Sequence, residues 1–185
     1  MERSNQELEK LIRGRVANLF TSRQLECAEA VLCVLNRSFR GGLPDDLAVR
    51  LASGFPDGLA GSGCLCGALS GAIMALGLYL GRNGPGLGRG QQVKSAVDAL
   101  LKEFRFIYKS NCCRVLTKGL EHGSRAHQAH CARISGDTAR IAARILLQIR
   151  PELRHRVDSA YLVRQDSNAA AGLKILAGTW RRTGS

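Results

Sequence analysis

The stretch from Ser53 to Gly81, SGFPDGLAGSGCLCGALSGAIMALGLYLG, restricts the fold more than any other part of this 185-residue chain. A glycine-rich loop runs into Cys64 and Cys66, and an apolar run opens directly behind them. That order reads as a loop becoming a helix, with both cysteines at the junction beside unpaired backbone N–H groups and the positive end of the helix dipole. Such a junction favours thiolate over thiol. Gly67 follows Cys66 directly, and Gly71 and Ala75 continue a small-residue stripe at four-residue spacing, so another backbone can approach this helix closely. The stripe would serve a homodimer interface as readily as an internal one. Leu65 to Leu80 falls short of the roughly 20 apolar residues of a membrane span and carries several glycines, so it is expected as a buried core helix and not as a transmembrane segment.

The rest of the chain is expected to be helical as well. Hydrophobic residues make up 45% of it, enough for a core at this length, and aromatics only 5%. β-Branched runs are short and apolar residues recur at three and four, which predicts an all-α fold: a compact helical bundle with a glycine-rich loop before its central helix. The N-terminus, MERSNQELEKLIRGR, is charged and has no apolar core before a small-residue cleavage site, the pattern of a cytoplasmic chain. In a reducing compartment its seven cysteines would be kept as thiols for metal binding or redox chemistry more often than for structural bridges. Lys and Arg outnumber Asp and Glu by 27 to 15, a net +12. Such a field draws acidic partners. The basic residues are scattered, with no aromatic platform or nucleic-acid motif, so no specific nucleic-acid role is expected.

Taken in order, residues 5–19 read as a first helix with Leu8, Leu11, Ile12, Val16 and Leu19 on one face. Thr21 and Gln24 form a capping-box pattern before a second helix marked by Leu25, Ala28, Leu32 and Leu35, with Cys27 in its first turns. Cys33, six residues on, is turned about 120° away and displaced about 9 Å along the axis, so it reads as a small buried hydrophobe outside any site shared with Cys27. Pro44 opens a short helix over Asp45–Ser53, closed by Gly54. Gly81 to Gly90 has turn composition and reads as a surface connection. Neither it nor GLAGSG follows a strand, which excludes a dinucleotide or phosphate loop.

Gln91 to Tyr108 is strongly amphipathic, with Val93, Val97, Leu100, Phe104 and Ile107 on one face. Ser110 and Asn111 then cap a short helix that begins with Cys112 and Cys113. The polar stretch Glu121–Ala129 reads as a loop whose histidines, His122 and His127, are solvated, with His130 following before Cys131. Cys131, Ile134, Thr138, Ile141 and Ile145 step along the inward face of a long helix that stops before Pro151. This gives a domain over residues 1–150 and a C-terminal extension over 151–185, either an extra helix or a tail, with no chemistry assigned to it. No paired carboxylates, Ser–His arrangement or cofactor fingerprint points to an enzyme acting on an organic substrate.

Four cysteine stations emerge: Cys27, Cys66 in CGALSG, Cys113 in CRVL, and Cys131 preceded by His130. This ordered set, with the glycine loop before the second station and the amphipathic helix before the third, resembles the redox-active family named for its own pattern, C_GCAxxG_C_C, over about residues 22–150. The resemblance implies that Cys27, Cys66, Cys113 and Cys131 are the functional cysteines. Arg114 and Leu116 favour Cys113 over Cys112 as the third, and Cys33, Cys64 and Cys112 are additional to the pattern. An iron–sulfur domain with this pattern also occurs in larger cytochromes that the family resembles. Four thiolates converging among helices fit a [2Fe–2S] or related cluster used for electron transfer with a redox partner protein, its potential tuned by N–H donors of the loop around Gly63 and Gly67 and by the close-packed helix at Gly71. The alternatives are a metal-free protein in which Cys66 cycles with one of the other stations as a disulfide, and a closed zinc site of four cysteines that holds an interaction module together.

Overall fold

A computed structural model describes residues 4–85 and 90–167. The helices are α1 (Asn5–Thr21), α2 (Cys27–Ser38), α3 (Asp45–Ala52), α4 (Pro56–Leu59), α5 (Gly67–Leu80), α6 (Gln91–Tyr108), α7 (Cys113–Leu116), α8 (Arg125–Ile149) and α9 (Ser159–Val163), with a 3-10 turn over Pro151–Arg156. There is no β-strand among the described residues. The fold is all-α, as the periodicity predicted. Parts of two expected segments, residues 86–89 of the connection and 168–185 of the extension, lie outside the described residues.

The core forms where α5 meets α2 and α8, with α1 laid along α8. α5 carries nothing charged, and Ala68, Leu69, Ala72, Ala75 and Leu76 are fully buried in it. Its small-residue stripe is used within the chain. A Cβ on Gly71 would fall on the carbonyl oxygen of Ala28, far inside 3.0 Å, and a Cβ on Gly67 would stand 2.5 Å from the sulfur of Cys27. The two glycines thus let the start of α5 lie against the start of α2, and this contact places Cys66 beside Cys27.

Three local expectations are corrected. Thr21 does not cap α2: it is the last residue of α1, and its hydroxyl donates back to the Ala17 carbonyl at 2.8 Å. A turn with Arg23 at φ +55° follows, and Glu26 becomes the N-cap, its N–H donating to the Glu29 carboxylate at 2.9 Å. Capping-box spacing recurs at Glu26/Glu29, and the second copy wins because α1 runs on through the first. On α6 the buried positions are Ala96, Leu100 and Phe104, whereas Ile107 is 40% exposed, since the inward face has rotated past it at the end of the helix. α8 begins six residues before Cys131, at Arg125, with the Ser124 hydroxyl accepting from the His127 N–H at 3.1 Å.

Beyond Pro151 the chain packs back on the bundle. Leu153 and Leu162 are buried, and Asp166 pairs with the buried Arg15 of α1 at 2.7 Å. Arg15 and Arg37 lie against the Tyr161 ring, 4.8 and 4.6 Å from its centroid, so the described part of the extension is tied to both α1 and α2.

Candidate cysteine centre

Cys27 is the first residue of α2, Cys66 is the N-cap of α5 and Cys113 is the first residue of α7. The chain brings the last two together by lacing residues 63–66 to residues 111–114. The Cys66 N–H donates to the Asn111 carbonyl at 2.8 Å, and the Arg114 N–H donates to the Gly63 carbonyl at 3.0 Å. Between these two hydrogen bonds lies a disulfide, Cys64–Cys112. Thiols were expected more often than structural bridges, and of the seven cysteines two are paired and five are free. Of the vicinal pair, Cys112 is in the bridge and Cys113 is free.

Cys131 arrives differently. It sits two turns into α8, away from the helix N-terminus, on the side that faces Cys66 and Cys113. One cavity of about 330 Å³ is lined by Cys27, Cys66, Cys113 and Cys131. Gly67 also lines it, whereas Gly63 and Gly71 stand outside its wall. The Gly63 N–H is taken up by the Gly58 carbonyl at 3.0 Å, and Gly71 faces the α2 backbone. Cys33 is buried elsewhere in the core, 5% exposed, as its helical spacing from Cys27 required.

The thiols are not held as thiolates. Burial pushes Cys66 up to about 11, against the N–H groups of Ala68 and Leu69, which pull it down. Burial raises Cys27 further, and then the neighbouring Cys66, while N–H groups of Asp57 and Ala28 oppose the shift. Cys131 is pushed up to about 12 by burial and then by Cys113 and Cys66, and Cys113 is raised by burial and by Asp57. The thiolate preference expected from helix starts is therefore overturned. Removing a charge from water costs more than a few N–H dipoles return, and each sulfur opposes ionisation of the next.

The cavity wall also carries Glu26, Asp57, His122 and His127, which the cysteine pattern alone does not reveal. His122 is exposed, with its Nε2 3.4 Å from an Asp57 oxygen. His127, expected as a solvated loop imidazole, is instead 7% exposed in the first turn of α8. Its Nε2 lies 3.7 Å from the Cys131 sulfur. His130 turns away, with Nε2 2.9 Å from the Leu116 carbonyl oxygen. The signal for His127 was present in the sequence: Ser124 three residues before it is a helix cap, and Cys131 four residues after it falls on the same helix face.

Among the described residues no three Cys, His, Asp or Glu side chains form a group tight enough to hold a metal ion. Fold and site together define a helical domain that draws four cysteines from four stations of the chain to one cavity. The chain matches the family described as "Putative redox-active protein (C_GCAxxG_C_C)" over residues 25–145, and it belongs to that family. The matched span contains all four stations and the disulfide. No curated protein and no solved structure matches the chain. No helix among the described residues is long and apolar enough to cross a membrane.

Proposed function

We propose that Cys27, Cys66, Cys113 and Cys131 hold an iron–sulfur cluster of the [2Fe–2S] type and that the protein exchanges single electrons with a redox partner protein. One observation carries this reading: the four cysteines of the family pattern line one cavity of about 330 Å³. A closed zinc site needs its sulfurs all about 2.3 Å from a single point. A two-iron cluster divides its four sulfurs between two irons and fills the space between them. A cavity lined by all four cysteines offers room for the second.

The protein's own contribution follows from the surroundings of the sulfurs. The N–H groups of Ala68 and Leu69 at Cys66, and of Asp57 and Ala28 at Cys27, are set to bond the thiolates that a bound cluster requires. Hydrogen bonds to ligand sulfur raise the reduction potential. The raised thiols would release protons as iron enters, so loading is favoured by higher pH. The +12 charge favours a partner with an acidic face.

A metal-free dithiol is the second reading, and the Cys64–Cys112 disulfide beside Cys66 and Cys113 favours it. Against it stand the raised thiols, since exchange needs an attacking thiolate near ambient pH. The two readings part on a substitution series. Cys27→Ser, Cys66→Ser, Cys113→Ser and Cys131→Ser should each abolish iron binding while Cys33→Ala retains it. Iron binding unaffected by any of the four would contradict the cluster.

A further inference from the structure

We infer that His127 is a positioning residue of this centre, donating its Nε2–H to the sulfur of Cys131. The inference rests on the reading that Cys131 is one of the functional sulfurs and adds a residue outside the cysteine pattern. It starts from an asymmetry among the four stations. Cys27 and Cys66 lie at helix starts, and backbone N–H groups, of Asp57 and Ala28 at the first and of Ala68 and Leu69 at the second, reach their sulfurs. Cys131 lies six residues into α8, where backbone N–H groups are spent on the helix. It needs a donor from a side chain, and His127, one turn earlier on the same face, places Nε2 3.7 Å from Sγ.

The direction of that hydrogen bond is set on the other side of the ring. The Gly123 N–H donates to His127 Nδ1 at 3.4 Å. A nitrogen that accepts carries no proton, so the neutral imidazole must bear its hydrogen on Nε2, the atom facing Cys131. Gly123 reaches this position at φ +77°, a conformation that suits glycine, with nothing within 4 Å of an added Cβ to oppose a side chain on space alone. The ring is held from three further directions. Its own backbone N–H is fixed by Ser124, the His122 ring lies against it at 4.8 Å between centroids, and the side chain is almost wholly buried. An imidazole fixed in position and tautomer withdraws electron density from a ligand sulfur, in the way that outer-shell partners orient and tune metal ligands elsewhere.

Two measurements test this. Nitrogen-15 NMR of the imidazoles in metal-free wild-type protein should report His127 as the Nε2–H tautomer with Nδ1 unprotonated. The Nδ1–H tautomer would overturn the inference whether or not the protein binds iron. In iron-loaded protein, His127→Leu should make the midpoint potential more negative and speed iron loss to a chelator about tenfold, and His127→Gln, which keeps an N–H donor, should restore most of both. A folded His127→Leu protein with unchanged potential and iron retention would also overturn it. A chain that takes up no iron at all would remove the cluster and leave the NMR result to decide the hydrogen bond.

Discussion

The sulfur of Cys27 lies 2.5 Å from the position a Cβ on Gly67 would occupy. One helix start is thus packed directly onto another, and two of the four stations are placed by the absence of a side chain between them. Gly67→Ala should displace Cys27 from the cavity and lower stability by about 1–3 kcal/mol, the usual cost of overpacking. Gly71→Ala should cost at least as much, because its Cβ would fall on the Ala28 backbone, closer than the 2.9 Å at which a Cβ on Gly67 would meet the Phe55 carbonyl oxygen. Denaturant midpoints of the two variants check this, and wild-type midpoints would contradict the close approach.

The Cys64–Cys112 disulfide closes a sequence separation of 48 residues between the segments that carry Cys66 and Cys113. Cys64→Ser and Cys112→Ser should each lower stability by about 2–4 kcal/mol, and the double variant should cost little more than either, since both remove one bond. With seven cysteines in the chain and one bridge, thiol titration of denatured, unreduced protein should find the remaining five. Seven would show that the bridge does not form.

Stability should fall on the alkaline side. Burial pushes the Cys33 thiol from its ordinary 9.0 up to about 12, and burial also raises the phenols of Tyr79 and Tyr108 above 10.0. The Tyr79 hydroxyl donates to the Leu35 carbonyl at 2.9 Å, and that of Tyr108 to Asp137 at 2.6 Å. In each case the folded state holds the proton more tightly than the unfolded chain. The stability is therefore complete below the ordinary values and lost as pH rises above them. The unfolding midpoint should decline from about pH 9 to pH 12, and less steeply in Tyr79→Phe. A flat profile over that window would contradict the buried, protonated state.

The helices were legible because apolar spacing records which face of each is buried. α6 was read to its last residue at both ends, and Cys33 was separated from Cys27 by helical geometry alone. What was not legible depends on contacts between distant segments. Nothing in the vicinal pair Cys112 and Cys113 shows which one meets Cys64, since the choice is made by the lacing of residues 63–66 to 111–114. The thiol state was misjudged for a related reason. A helix start is visible in sequence, but the burial that outweighs it is produced by α2, α5, α7 and α8 closing on one another. His127 was read as part of a loop because the polar residues before Cys131 hid a helix start at Ser124.

The link between Arg15 and Asp166 offers a test of the extension. Both side chains are nearly buried, 2% and 5% exposed, at 2.7 Å. The Arg15 guanidinium also donates to the Arg164 carbonyl at 2.9 Å. Asp166→Asn leaves a buried cation without its counter-charge and should cost about 3–5 kcal/mol. Thermal unfolding checks it, and a loss below about 1 kcal/mol, the scale of an exposed pair, would show that the extension does not dock as described.

The central claim is that four cysteines around one cavity hold an iron–sulfur cluster. The most direct test is an absorption spectrum with iron and acid-labile sulfide analysis on protein purified without oxygen, beside the Cys66→Ser variant. Wild-type protein should be brown, with about two irons and two sulfides per chain, and the variant colourless. Colourless wild type without iron, even after reconstitution with iron and sulfide, would contradict the claim.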